Sequence, residues 1–271
     1  MKRKLIVLVC AMMLLGSALG LAEGGISVSR KQISLHKTPD RNVTNIVMLL
    51  QNGEETELIL LASINTRSGR AVMTCINTDM QVTLPETGET ALRGVYAMGD
   101  RKSRGNLIMR TLNDLLSLDV ATYVVLDMGK IPELVDMVDG LDITPTQEED
   151  AALGLDLDTW ALNGEESVAF MKLKLPSDDV ETNRSYMVLM ELLQKVTHSG
   201  IGEMMGAGGA LLSSMDTNLG IMTAVTLSTT VHGGSERLEI SLPREEMILQ
   251  KDPLRVDSEK MKEKLFEVLY E

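Results

Sequence analysis

Residues 74–85 read TCINTDMQVTLP, and this stretch decides the fold. A β-rich run closes at Asp79, a single acidic residue, and the chain turns back through a second short strand before Pro85. Just upstream, Leu58–Ile64 and Ala71–Ile76 are apolar runs separated by Thr66–Arg70, a turn carrying Gly69, so the pair predicts an antiparallel hairpin. Asn45–Leu50 predicts a further buried strand. Downstream the period changes. Leu107, Ile108, Leu112, Leu115 and Leu116 fall at helical spacing, which predicts a helix over 106–118 capped by Asn106. Tyr123–Leu126 is a compact strand ending at Asp127, and Pro132 opens a helix that runs to about Val138 and stops at Gly140. Leu141–Ile143 reads as a short strand, and Gly164–Leu173 as a helix. Arg184–His198 is a second helix, with Val188, Leu189, Leu192, Leu193 and Val196 on its inner side. Arg237–Leu242 alternates as a strand, and Asp257 or Ser258 caps a last helix over Lys260–Tyr270. Strands alternating with helices predict the α/β class: a layered α-β-α domain with a mixed central sheet.

Residues 1–22 read as a signal peptide or signal anchor. Lys2, Arg3 and Lys4 precede the apolar run Leu5–Leu15, and small residues over 18–22 suit cleavage after Ala22 or Gly20. The expected location is extracytoplasmic, either secreted or anchored at the cell membrane. Residues 23–44 are polar and read as a linker or a peripheral strand, leaving residues 45–271 as one domain. Losing the three basic residues of 1–22 takes the net charge from −13 to −16. Such a field repels a phosphate backbone, so nucleic acid is excluded as a partner. Past residue 22 the only cysteine is Cys75, which reads as a small core residue, and His36, His198 and His232 lack ligand spacing. The 19 Met are mainly expected to fill core gaps, with an adaptable lipid pocket as the other use. No nucleophile elbow or P-loop is present. Gly206–Gly209 reads as a helix connection, and Asn42 and Asn183 open glycosylation sequons by pattern only.

Ile76-Asn77-Thr78-Asp79-Met80 resembles the strand-end signature of the LytR-CpsA-Psr family of cell-envelope proteins. There an Ile-Pro-Arg-Asp-Thr run closes a core strand and sets its Arg and Asp at a pyrophosphate. The likeness extends from about Asn45 to Glu271. Asn45-Ile-Val-Met-Leu-Leu resembles the family's opening strand, and Tyr96-Ala97 with Gly99 its Ala-Tyr-Ala-Tyr-Gly run. Tyr123–Asp127, Leu134–Asp136 with Gly140, and Leu162–Glu166 with Ala169-Phe170 match later motifs in order and spacing.

The resemblance implies transfer of a glycopolymer phosphate from a polyprenyl-pyrophosphate carrier to peptidoglycan, at the outer face of the membrane. Acidic residues would hold Mg²⁺, and arginines would neutralise the pyrophosphate, because phosphoryl transfer is mostly positioning and charge neutralisation. Carried over position by position, the acids are Glu57 and Asp79, and the basic set is Lys172, Lys174 and Arg184. Glu55, Thr78 and Glu181 stand where the family has arginines. Arg93, Arg101 and Arg104, which follow the Asp79 strand, are candidates to replace them. Each residue also has a plain structural reading. Glu57 would lie in an acidic turn, the two lysines would be solvated, and Arg184 would pair with Asp178 or Asp179. Three functions follow. One is a Mg²⁺-dependent phosphotransferase with Asp79 and Arg184 catalytic. Another is a non-catalytic relative that binds a polyprenyl (pyro)phosphate, another isoprenoid lipid or an envelope glycan, or acts as an accessory partner. The third keeps lipid binding, abandons pyrophosphate and uses the Met-rich core as the pocket. The sign reversals at Glu55 and Glu181 favour the second, since a polyanion is repelled by carboxylates at its own site.

Overall fold

The computed structural model describes residues 25–33, 42–154, 161–176, 178, 183–199, 215–218 and 237–270. The leader, Glu181, residues 206–209 and the side chains of Leu193 and Val196 lie outside the described residues.

The sequence VTNIVMLLQN forms β1 (Val43–Asn52), and ETELILLASIN forms β2 (Glu55–Asn65). Both runs are apolar on both strand faces, the pattern of central strands covered from two sides. Successive side chains point to opposite faces. Ile46, Leu50, Leu58 and Leu60 enter one core, while Val47, Leu49, Ile59 and Leu61 enter the other. The chain continues through β3 (Ala71–Ile76), a hairpin of β4 (Gln81–Leu84) and β5 (Gly88–Ala91), then helices α1 (Leu92–Met98) and α2 (Arg104–Leu116). After β6 (Thr122–Asp127) come α3 (Ile131–Asp136), α4 (Gln147–Leu153), α5 (Gly164–Lys172) and α6 (Arg184–Ser199). Further along lie β7 (Asp216–Thr217), β8 (Arg237–Leu242), the small hairpin of β9 (Ile248–Lys251) and β10 (Leu254–Val256), and α7 (Ser258–Tyr270).

The main sheet runs β7-β6-β1-β2-β3-β8 and is mixed: β1 is antiparallel to β2 but parallel to β6, and β3 is antiparallel to β2 but parallel to β8. Helices α3, α5 and α6 cover one face through Val135, Phe170, Val188 and Leu189. Helices α1, α2 and α7 cover the other through Val95, Leu107, Leu112 and Leu265. This is the expected three-layer α-β-α arrangement, and among the described residues no helix is long and apolar enough to cross a membrane.

Several local expectations are corrected. Helix α2 starts at Arg104 after Ser103, and Asn106, the expected cap, instead donates its side-chain amide to the Val28 carbonyl at 2.8 Å. That contact ties residues 25–33 to the domain: Val28 is buried, its N–H donates to Ser103 Oγ at 3.0 Å, and Ile26 bridges to Gly99. Part of the expected linker therefore packs on the sheet assembly. Among the described residues, Leu141–Ile143 forms a single bridge, Leu141 to Leu162, in place of the expected strand. Met80, Met109, Met128 and Met261 are buried gap-fillers in the two cores, as expected of most methionines.

The edge of β6 carries a polar clamp. Tyr96 and Tyr123 donate their hydroxyls to the two carboxylate oxygens of Asp216, at 2.7 and 2.9 Å. Asn218 accepts the Tyr123 N–H and donates to the Ala121 carbonyl. Gly105 lies so close to the Tyr123 ring that a Cβ there would sit 2.1 Å from it. With the ring hydroxyl held by Asp216, the ring cannot swing aside. Gly105→Ala should therefore lose about 1–3 kcal/mol to overpacking, more than the ~1 kcal/mol gained in helix propensity, and lower the urea midpoint.

Candidate functional site

The expected site residues divide into two places. At the end of the β3 strand, Asp79 lies beyond the strand, which stops at Ile76. Asn77 Oδ1 accepts the Asp79 N–H at 2.8 Å, so Asp79 rides on an Asx turn with its side chain 56% exposed. Arg93, in the first turn of α1, is fixed to the same turn by its N–H, which donates to the Thr78 carbonyl at 2.8 Å. Its guanidinium Nη2 pairs with Asp79 Oδ1, and Nη1 lies 3.9 Å from Glu55 Oε2. The other two arginines considered as replacements do different things. Arg104 stacks 5.9 Å from the Tyr96 ring centroid and donates to the Gly99 carbonyl, and Arg101 is exposed.

Glu57 is not in a turn. The β1–β2 hairpin turns at Gly53 and Glu54, with Gly53 at φ 61°, and Glu57 belongs to β2. The register passes from Leu50–Leu58 to Gln51–Thr56, leaving Glu57 as the extra residue of a β-bulge. Its carboxylate accepts from Asn52 Nδ2 at 3.0 Å.

Arg184 is held by other partners. It is the first residue of α6, with its side chain only 5% exposed. Nε donates to Glu149 Oε1 at 2.6 Å, Nη2 to Asp178 Oδ1 at 2.6 Å, and Nη1 to Asp178 Oδ2 at 2.8 Å and to the Leu173 carbonyl at 3.1 Å. Its carbon also lies 5.9 Å from the Phe170 ring centroid. The guanidinium thus binds α4, the end of α5 and the start of α6 into one unit. The pairing with Asp178 was readable as the structural alternative. Glu149 was missed, although Thr146-Gln-Glu-Glu149 is a legible capping box: Thr146 and Glu149 exchange hydrogen bonds at the start of α4. Lys172 and Lys174 follow at the end of α5, both exposed.

A cleft of about 780 Å³ opens beside Arg184, between α6, the β3–β8 edge and the turn at Arg244. Among the described residues, Glu149, Glu239, Glu245 and Glu246 line it against Arg184 and Arg244, so carboxylates outnumber guanidiniums. Met187 lines it too, and lines a second cleft with Met190. Cys75 faces the larger cleft as a buried thiol. Burial pushes its thiol up to about 12 against the opposing hydrogen bond from Asn183, 3.2 Å from Sγ.

The acids expected to hold Mg²⁺ do not form a cage for it. Asp79 is engaged by Arg93, Glu57 by Asn52, and no group of three His, Cys, Asp or Glu residues suited to a metal ion exists among the described residues. Mg²⁺ wants near-octahedral oxygen ligation, and a guanidinium at the first carboxylate opposes it.

The Arg184 network makes its own prediction. Arg184 pulls the Asp178 carboxyl below its usual range. For Glu149, burial opposes ionisation, but the Thr146 N–H and Arg184 outweigh it and the carboxyl is likewise held low. The stability these groups contribute is therefore fully present above their unfolded values near ~4, and is lost as pH falls through the depressed folded values. Unfolding free energy should decline on that acid side, and Asp178→Asn should shrink the decline. Arg184→Met, which strands two carboxylates, should cost about 3–5 kcal/mol in denaturant unfolding.

Comparison with known proteins places this geometry. TagT of B. subtilis has the same fold, with a TM-score of 0.63 at 15% identity over 90% of this chain and 98% of TagT. A structure of TagT (YwtF) with bound octaprenyl pyrophosphate lipid aligns at a TM-score of 0.61 and 17% identity, covering 93% of this chain and 98% of that one. Biofilm regulatory protein A of Streptococcus mutans is 22% identical over 189 residues, 62% of this chain. The chain spans about half, 46%, of that relative's length. The sequence model of the LytR_cpsA_psr family matches residues 38–265, most of the chain, and the protein belongs to that family.

Proposed function

We propose that this protein works outside the cytoplasm in assembly of cell-wall glycopolymers, binding a polyprenyl (pyro)phosphate or an envelope glycan without efficient transfer. The observation that carries the reading is the commitment of Arg184. The arginine retained from the family pattern spends Nε, Nη1 and Nη2 on Glu149, Asp178 and a backbone carbonyl, and has little left for a transition state. An arginine that reaches a transferring phosphoryl group is worth ~10³–10⁵ in rate, and exposed lysines such as Lys172 and Lys174 restore charge without the planar fork. The excess of carboxylates in the adjoining cleft also disfavours the build-up of negative charge there. Support for a lipid-linked ligand comes from the relatives: TagT structures of this fold hold octaprenyl pyrophosphate lipid, LI-WTA or LIIa-WTA. Peptidoglycan and the outer face of the membrane are the partners that this reading places nearby.

The second reading, an active Mg²⁺-dependent phosphotransferase with Glu57 and Asp79 at the metal, requires Asp79 to leave Arg93 for the ion, which frees a guanidinium at the Asp79 turn for the pyrophosphate. Binding of octaprenyl pyrophosphate separates the two. Under the favoured reading the affinity with Mg²⁺ and with EDTA agrees within a factor of about three, under 1 kcal/mol. Asp79→Ala does not weaken it, and no polymer reaches peptidoglycan. Metal-dependent binding that is lost in Asp79→Ala, together with a transfer product, would put the phosphotransferase first.

A further inference from the structure

Three observations at the Asp79 turn converge. Two acidic residues from different elements, Asp79 after β3 and Glu55 at the start of β2, face one cation, and that cation is Arg93. The arginine is not a chance surface contact, because its own backbone is bonded to the Thr78 carbonyl of the same turn. The acids implied by the family resemblance, Glu57 and Asp79, are each engaged by a neighbouring side chain, and among the described residues no group of three potential ligands stands ready for a metal ion.

We propose that Arg93 is the built-in counter-ion of this site: it takes the Asp79 carboxylate that a divalent cation would need and faces Glu55 beside it, so the site handles phosphate without metal. The inference rests on the proposed function only in naming the ligand; the claim about the cation stands on the geometry.

The physics is a competition for the same carboxylate. A divalent ion placed at Asp79 would lie next to a fixed positive charge, and at these distances the repulsion offsets much of what one carboxylate supplies. Mg²⁺ also sheds water reluctantly and needs close, near-octahedral oxygen ligands, which a turn residue already paired to a guanidinium does not offer. Arg93 meets neither obstacle. It is permanently charged, planar and tethered through α1. Its Nη1 lies 3.9 Å from Glu55, a charge contact rather than a hydrogen bond, so that edge of the guanidinium can take a phosphate oxygen as a partner while Nη2 stays on Asp79. The replacement also accounts for the family arginine absent at Thr78: the guanidinium arrives from the helix instead of the strand.

The test is a titration of the full chain with Mn²⁺ alone, followed by electron paramagnetic resonance of the free ion. Wild type should show no saturable site. Arg93→Gln, which removes the charge and keeps a polar side chain, should gain one with at least about tenfold tighter binding, a change of ~1.4 kcal/mol. Adding Asp79→Asn to Arg93→Gln should abolish the gain. Far-UV circular dichroism of each variant verifies that the fold is kept, as expected for side chains that are 37% and 56% exposed. Saturable Mn²⁺ binding by wild type that disappears in Asp79→Asn overturns the proposal, as does a folded Arg93→Gln that gains no site. Octaprenyl pyrophosphate is then titrated separately without metal. Failure of every variant to bind it would overturn the lipid-binding function, while the role of Arg93 would still be decided by the Mn²⁺ titrations.

Discussion

Burial of β1 and β2 on both faces is the constraint from which the rest follows. Ile46, Leu50, Leu58 and Leu60 are buried on one side of the sheet, and Val47, Leu49, Ile59 and Leu61 on the other. A sheet buried on both faces requires a helical layer above and below. It also confines chemistry to strand ends and edges, where backbone turns out into solvent. The acidic residues at issue obey this rule: Glu55 and Glu57 sit at the beginning of β2, and Asp79 just after the end of β3.

Two arginines then divide the electrostatic work. Arg184 is sealed among Glu149, Asp178, Leu173 and Phe170 and organises a helical layer. Arg93 remains near the surface with one carboxylate bonded and a second at a longer range. Burial decides which can meet a ligand. A guanidinium that has replaced water with two carboxylates has no reason to trade them for a phosphate, because the stranded acids would have to be resolvated or protonated. The half-exposed one loses little by adding a partner.

Much of the architecture could be read from the chain. The apolar runs in 45–50 and 58–64, the turn at Gly69 and the helical spacing of Leu107, Leu112 and Leu116 all reappear as elements. What escaped was set by contacts far apart in sequence. Asn106 resembled a cap, but Val28, 78 positions earlier, claims its amide. Glu57 looked like part of an acidic turn because a bulge leaves no mark in a hydrophobic pattern. At the site, the Asp178 partner of Arg184 was legible because it is six residues away, whereas Glu149 is 35 away and had only its capping role to announce it. The meeting of Arg93 with Asp79 depends on how α1 follows the β4–β5 hairpin, which local sequence does not encode.

The two-residue strand β7 has a consequence for how copies of this protein behave in a crowd. An open strand edge is a template on which another molecule can add its own strand, the first step towards aggregation. On this edge, and among the described residues, backbone pairing covers Val124 and Val125 of β6. The neighbouring positions are closed by side chains: Asn218 takes the Tyr123 N–H and the Ala121 carbonyl, Thr217 takes the Tyr123 carbonyl, and Asp216 anchors both tyrosine hydroxyls. This short piece of chain thus acts as a plug that leaves an approaching strand little backbone to pair with along this part of the edge.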